Sequence, residues 1–222
     1  MKKFIILLTV CFILSGSIVM AADIKHKNNL KIAFLGDSIT WLGWNSPYGY
    51  VQKTVKALND ADYTITPFPE GINGNVTKEM LNRMDTDVLN HQPDIMFFMG
   101  GINDIWLKND SVRKYRKNVE KIIDKAQKDN IEVIIINLTV ISEDINAPEN
   151  KKIAAYNKML EKIAKEKNVQ LIDINTSLWN EINNHENHGG IVTVSDGVHL
   201  NEKGNEILSK KIVNDFLKTH TP

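Results

Sequence analysis

Four short segments of this 222-residue sequence hold residue types that together suit acyl transfer. They are Gly36-Asp37-Ser38-Ile39-Thr40, Glu70-Gly71-Ile72-Asn73-Gly74-Asn75, Gly100-Gly101-Ile102-Asn103-Asp104 and Asp196-Gly197-Val198-His199-Leu200. A serine hydroxyl is a weak nucleophile and needs a base within hydrogen-bond reach. A histidine can take that proton when a carboxylate fixes its tautomer. Asp196 and His199 are close enough in sequence for one turn to present both. The oxyanion that follows attack needs donors already in place. The amide of Asn103 can donate without adding charge to the resting site. Each segment alone has a plainer reading, as a helix N-cap, a turn or a surface loop. Their joint occurrence points to a site.

The elements that must position these residues alternate along the chain. Short apolar runs at 31–35, 63–68, 94–99, 131–138 and 169–173 read as strands. Amphipathic stretches at 48–58, 77–89, 112–129, 149–167 and 202–217 read as helices. Such alternation predicts βαβ units and a five-stranded parallel sheet covered on both faces. Pro67 predicts that the second strand lies at an edge. Two longer irregular stretches remain, 139–148 and 183–198, of the kind that is often functional. Ligands of open parallel sheets bind beyond the carboxyl ends of the strands. Three of the four segments follow strand candidates, and the fourth precedes the last helix.

The four segments, in this order, resemble the signature of the SGNH hydrolases, also called GDSL-type esterases and lipases. Ser38 matches the family nucleophile, and Asp196 and His199 match its Asp-x-x-His pair. The resemblance implies an oxyanion hole formed by the Ser38 and Gly74 backbone N–H groups and the Asn103 side chain, with Gly71 as the competing glycine. It further implies a three-layer α/β/α, flavodoxin-like sandwich with strand order 2-1-3-4-5. Hydrolysis of carboxylic esters without metal or cofactor is the activity it carries. Asp37 and Asp104 are expected to tie down their loops.

Competing chemistries find no motif. There is no Gly-rich dinucleotide or Walker-type phosphate loop, and Ser38 does not sit in a Gly-x-Ser-x-Gly elbow. His185 and His188 are not at zincin spacing. With 27 basic and 27 acidic side chains, the formal charge is zero, which argues against nucleic acid as a partner. Residues 1–21 read as a secretory signal peptide, with Lys2-Lys3, an apolar run from Phe4 to Leu14 and a small-residue site ending at Ala21. That run is short for a membrane span. Its removal leaves one domain over 22–222 and takes away Cys11, the sole cysteine. The expected location is the periplasm or the exterior.

Trp41, Trp44 and Trp106 stand within a few residues of Ser38 or Asn103 and offer flat faces for a substrate; core packing is the plainer role for any one of them. The loops near the site are rich in Asn, Asp and Trp and lack a run of aliphatic residues. The expected substrate is therefore a short-chain, acetyl ester on an O-acetylated carbohydrate. The alternatives are a lysophospholipase or acyl-thioesterase acting on lipid-type substrates, and a non-catalytic glycan-binding module.

Overall fold

The structure, a computed structural model, describes residues 28–221. The expected signal peptide and Cys11 lie outside those residues. Five parallel strands form one sheet in the order β2-β1-β3-β4-β5. They are β1 (Asn29–Gly36), β2 (Thr64–Gly71), β3 (Ile95–Met99), β4 (Glu132–Ile136) and β5 (Gln170–Ile172). β1, β3 and β4 are buried almost throughout, as expected of strands covered on both faces. Their side chains, with Phe34 stacked on Phe97, form the middle of the core.

The helices are α1 (Ser38–Asn45), α2 (Tyr50–Asp60), α3 (Thr77–Asn82), α4 (Met84–Asp87), α5 (Ile102–Trp106), α6 (Val112–Lys128), α7 (Pro148–Lys167), α8 (Ile174–Asn183) and α9 (Glu202–Leu217). Helices α2, α8 and α9 pack together on one face of the sheet, and α3, α6 and α7 on the other. In α6 the apolar stripe Val119, Ile122, Ile123 and Ala126 is fully buried, as its 3.6-residue spacing predicts.

The helix expected over 77–89 is broken. Arg83 has ψ near 0°, which ends α3, and a short α4 and a 3₁₀ turn at Leu89–His91 follow. The Arg83 guanidinium is drawn inward to the carbonyls of Gly36 and Glu70 and to Asn75 Oδ1, which bends the chain at this residue. The short helices α1, α5 and α8 were not expected as helices. Two of them begin within the polar segments that mark the site.

β2 is an edge strand, as Pro67 predicts. Thr64 and Ile72 donate their N–H groups to β1-side carbonyls, whereas Ile65 donates away from β1, to Asn59 Oδ1. By the alternation of a parallel ladder, positions 65, 67, 69 and 71 direct their nitrogens outward. Pro67 and Pro69 occupy two of the four.

Candidate active site

Ser38 is the first residue of α1, immediately beyond the carboxyl end of β1. The chain reverses there at Gly36, where an added Cβ would lie 2.0 Å from Thr40 Oγ1 and 2.8 Å from the Met99 carbonyl. Only glycine fits that approach. Asp37 caps α1 by accepting from the Ile39 N–H at 3.0 Å. The cap leaves Ser38 Oγ free to meet His199 Nε2 at 2.8 Å.

His199 and Asp196 share a tight hairpin. Val194 N–H donates to the His199 carbonyl, and Gly197 turns with φ +74°. Asp196 Oδ1 accepts from the Val198 and His199 N–H groups, and Oδ2 lies 2.6 Å from His199 Nδ1. A carboxylate only accepts, so the imidazole proton resides on Nδ1 and the Nε2 lone pair faces the serine. Burial pushes the Asp196 carboxyl up, but the His199 and backbone donors outweigh it and hold it below its ordinary value.

The hairpin is itself held by the loop after β4. Glu143 is buried, and its two oxygens accept from the backbone N–H groups of Gly189, Ile191, Val192 and Thr193 and from Thr193 Oγ1, at 2.7–3.0 Å. Desolvation raises its pKa, and those donors together bring it below the ordinary glutamate range. Ser142 N–H donates to the Gly197 carbonyl at 2.6 Å. The loop owes its shape to Asn150, buried, which accepts from Ile141 N–H and donates to the carbonyls of Ile141, Ser142 and Asp144. The irregular stretches at 139–148 and 183–198 are thus one assembly. Sequence reasoning flagged both and missed Glu143, because nothing in Ser-Glu-Asp marks a glutamate as buried.

Asn103 lies in α5, at the end of β3. It is buried, and one amide N–H donates to the Asn75 carbonyl at 3.1 Å. The second N–H has no partner among the described residues. Gly74 has φ +77°, a conformation that favours glycine, and lines one cavity together with Asn103. Gly71 instead ends β2, where a Cβ would meet the α1 backbone at 2.2 Å. Asp104 joins the two segments, accepting from Thr77 N–H at 2.9 Å and from Thr77 Oγ1 at 2.5 Å. Arg83 adds a third tie, from Asn75 to the Gly36 carbonyl. The expectation that Asp37 and Asp104 tie down loops agrees with these bonds.

Ser38, Asn73, Gly74, Asn103 and His199 line a cavity of about 360 Å³ together with Trp41, Leu42, Trp106 and Leu107. Trp41 is 41% exposed and Trp106 46% exposed, far more than core tryptophans. Trp44 does not line this cavity; it is half-buried and packs on the core. The sequence places all three near the site, but only Trp41 and Trp106 line the cavity, while Trp44 packs on the core.

Next to the serine, Asp37 is fully buried. Desolvation pushes its carboxyl up to about 6; the neighbouring Asp104 adds to the rise, while the Ile39 N–H and His199 oppose it.

The sequence profile of the GDSL-like Lipase/Acylhydrolase family matches residues 34–207. An acetylxylan esterase of Geobacillus stearothermophilus is 25% identical over 173 residues, 68% of this chain and 78% of that protein. An uncharacterized lipoprotein of Bacillus subtilis strain 168 is 28% identical over 151 residues, 64% of this chain and 59% of that protein. The crystal structure of the acetyl xylan esterase AlAXEase superposes with a TM-score of 0.76 at 32% identity, over 84% of this chain and 99% of that one. A mutant of Axe2, an esterase from Geobacillus, shares the fold with a TM-score of 0.78 at 22% identity, over 86% of this chain and 96% of that one. With nearly the whole described chain inside the family profile and its motifs gathered at one sheet edge, the protein belongs to the GDSL-like lipase/acylhydrolase family and is a serine hydrolase of carboxylic esters.

Proposed function

We propose that this esterase removes acetyl groups from an O-acetylated carbohydrate, with Ser38 as nucleophile and His199 and Asp196 as its base and orienting carboxylate. One observation carries the reading: a hydrogen-bonded line from Asp196 through His199 to Ser38 that opens into a cavity flanked by two exposed indoles. As Ser38 Oγ attacks the ester carbonyl, its proton passes to His199 Nε2, and Asp196 stabilises the imidazolium. The free N–H of Asn103 and the backbone N–H groups of Ser38 and Gly74 face the forming oxyanion. His199 then gives its proton to the leaving alcohol, and water taken through the same base releases acetate. Every proton in this cycle moves between Ser38, His199, substrate and water.

The indoles support a sugar, whose C–H face stacks on an aromatic ring while its hydroxyls stay wet. The acetylxylan esterase activity named for two of the relatives agrees with that chemistry. The N-terminal apolar run supports export to the periplasm or exterior, where such a substrate is met. No helix among the described residues is long and apolar enough to cross a membrane.

The test is Ser38→Ala against an ester series. Loss of about 10⁴–10⁶ in kcat on p-nitrophenyl acetate is expected, with an organophosphonate labelling Ser38 in the unmutated protein. kcat/KM is expected to fall from acetyl through butyryl to octanoyl esters. Faster cleavage of octanoyl than of acetyl esters would replace the carbohydrate by a lipid-type substrate. Labelling at another residue would remove Ser38 from its role.

A further inference from the structure

A second cavity adjoins the first. It has a volume of about 470 Å³, within the range of small-ligand sites, and shares Leu42 and His199 with the cavity that holds Ser38. The two therefore meet at the imidazole. Its own walls come from the α1–α2 connection, through Ser46 and Tyr48, and from the hairpin and the start of α9, through Val194, Asn201 and Glu202. Tyr48 is 48% exposed and Val194 42% exposed. Among the described residues, neither the Tyr48 hydroxyl nor the Glu202 carboxylate has a hydrogen-bond or ion-pair partner within the protein.

Resting on the carbohydrate reading, we propose that this second cavity holds the neighbouring sugar residue of the substrate, so that the protein acts on acetylated oligosaccharide or polysaccharide in preference to single acetylated sugars. The direction follows from the chemistry. The carbonyl oxygen must face Asn103 and Gly74, and the leaving alcohol oxygen must lie within reach of His199 Nε2. The carbonyl oxygen therefore sits on the Asn103 side, and the leaving alcohol oxygen, which belongs to the sugar, on the His199 side. A chain continuing from that sugar runs past His199 into the second cavity. There the Tyr48 ring offers a flat apolar face beside Leu42 and Val194, and the Tyr48 hydroxyl and Glu202 carboxylate offer partners for ring hydroxyls. An acyl chain is a poor occupant, since it would strip water from Glu202 and from Asp196, which also lines this space, and give nothing back.

The experiment compares p-nitrophenyl acetate, O-acetylated xylose and O-acetylated xylotetraose in the unmutated protein, Tyr48→Ala and Glu202→Gln. The unmutated protein should favour the tetraose over the monosaccharide by about 10-fold in kcat/KM, the scale of one well-used aromatic contact. Each variant should lower the ratio of tetraose to p-nitrophenyl acetate kcat/KM, mostly through KM. Tyr48→Phe, which keeps the ring, should retain more of that ratio than Tyr48→Ala. Equal kcat/KM on the two saccharides, or variants that scale all three substrates alike, would overturn the subsite and leave the carbohydrate reading intact. Hydrolysis of p-nitrophenyl acetate with no turnover of either saccharide would overturn the carbohydrate reading and the subsite with it.

Discussion

Replacing Glu143 by Gln tests whether the proposed base, His199, depends on a residue outside the cavity that holds it. Oε2 of Glu143 accepts two backbone N–H groups, from Gly189 and Ile191, and Oε1 accepts three donors from Val192 and Thr193. Whichever way the glutamine amide is turned, its NH₂ points at donors, and at least two bonds are lost. Hydrogen bonds to a charged acceptor contribute about 1.5–3 kcal/mol each. Gly189 is exposed, so water recovers part of the loss, and about 2–4 kcal/mol remains. For a domain of this size that lowers Tm by roughly 5–15 °C. The segment released leads directly into the Asp196–His199 hairpin, and a misplacement of ~1 Å in a catalytic group costs roughly 10²-fold. A fall in kcat of about 10–100-fold on p-nitrophenyl acetate is expected, with KM little changed because Trp41 and Trp106 lie on other segments. Amide hydrogen exchange at 189–193 should accelerate in step. Acid should act in the same direction on the unmutated protein. Because the Glu143 carboxyl is held below its ordinary 4.5, the stability it contributes is present above that pH and is lost as pH falls through the lowered value. Wild-type kcat together with unchanged exchange at 189–193 would refute the clamp.

Other expectations follow from single contacts. Asn103→Ala removes the free amide donor and should lower kcat by about 10²–10³ with KM little changed; a loss confined to KM would make it a binding group. Asp37→Asn should stabilise the fold at neutral pH. Raising the carboxyl from 3.8 to about 6 costs the folded protein about 3 kcal/mol above pH 6, a cost that appears as pH rises through that window. Urea unfolding at pH 4 and pH 7 should show a larger gain for the variant at the higher pH, and an equal gain at both would contradict it. Gly36→Ala should destabilise by about 1–3 kcal/mol, because the new methyl meets the Met99 carbonyl as well as Thr40; calorimetry shows whether it does.

Much of this was legible in the sequence, for reasons that differ by element. The long buried strands and α6 declare themselves by periodicity, which depends only on burial of one side or both. The residues now seen in one line, Ser38, Asp196 and His199, carried their pattern in short motifs beside glycines. What stayed hidden is set by tertiary partners. The break at Arg83 depends on carbonyls 13 and 47 residues away. The clamp at Glu143 depends on donors 46–50 residues downstream. Helix α8 carries a fainter trace: Asp173 at its N-cap, then Ile174, Leu178 and Ile182 at intervals of one turn. Trp44 shows its core position only through its packing partners in the fold.

The two prolines of β2 bear on how this protein behaves among its own copies. A parallel edge strand exposes a row of donors and acceptors on which another strand can grow, and that is the common route to sheet-to-sheet aggregation. Pro67 and Pro69 fall in the register whose nitrogens point away from β1, so the exposed margin lacks donors at two successive sites. Ile65, the next outward donor, is already occupied by Asn59. An incoming strand would find its carbonyls unanswered over most of the length of β2. The margin beside the active site is thereby closed to templated growth without a covering helix.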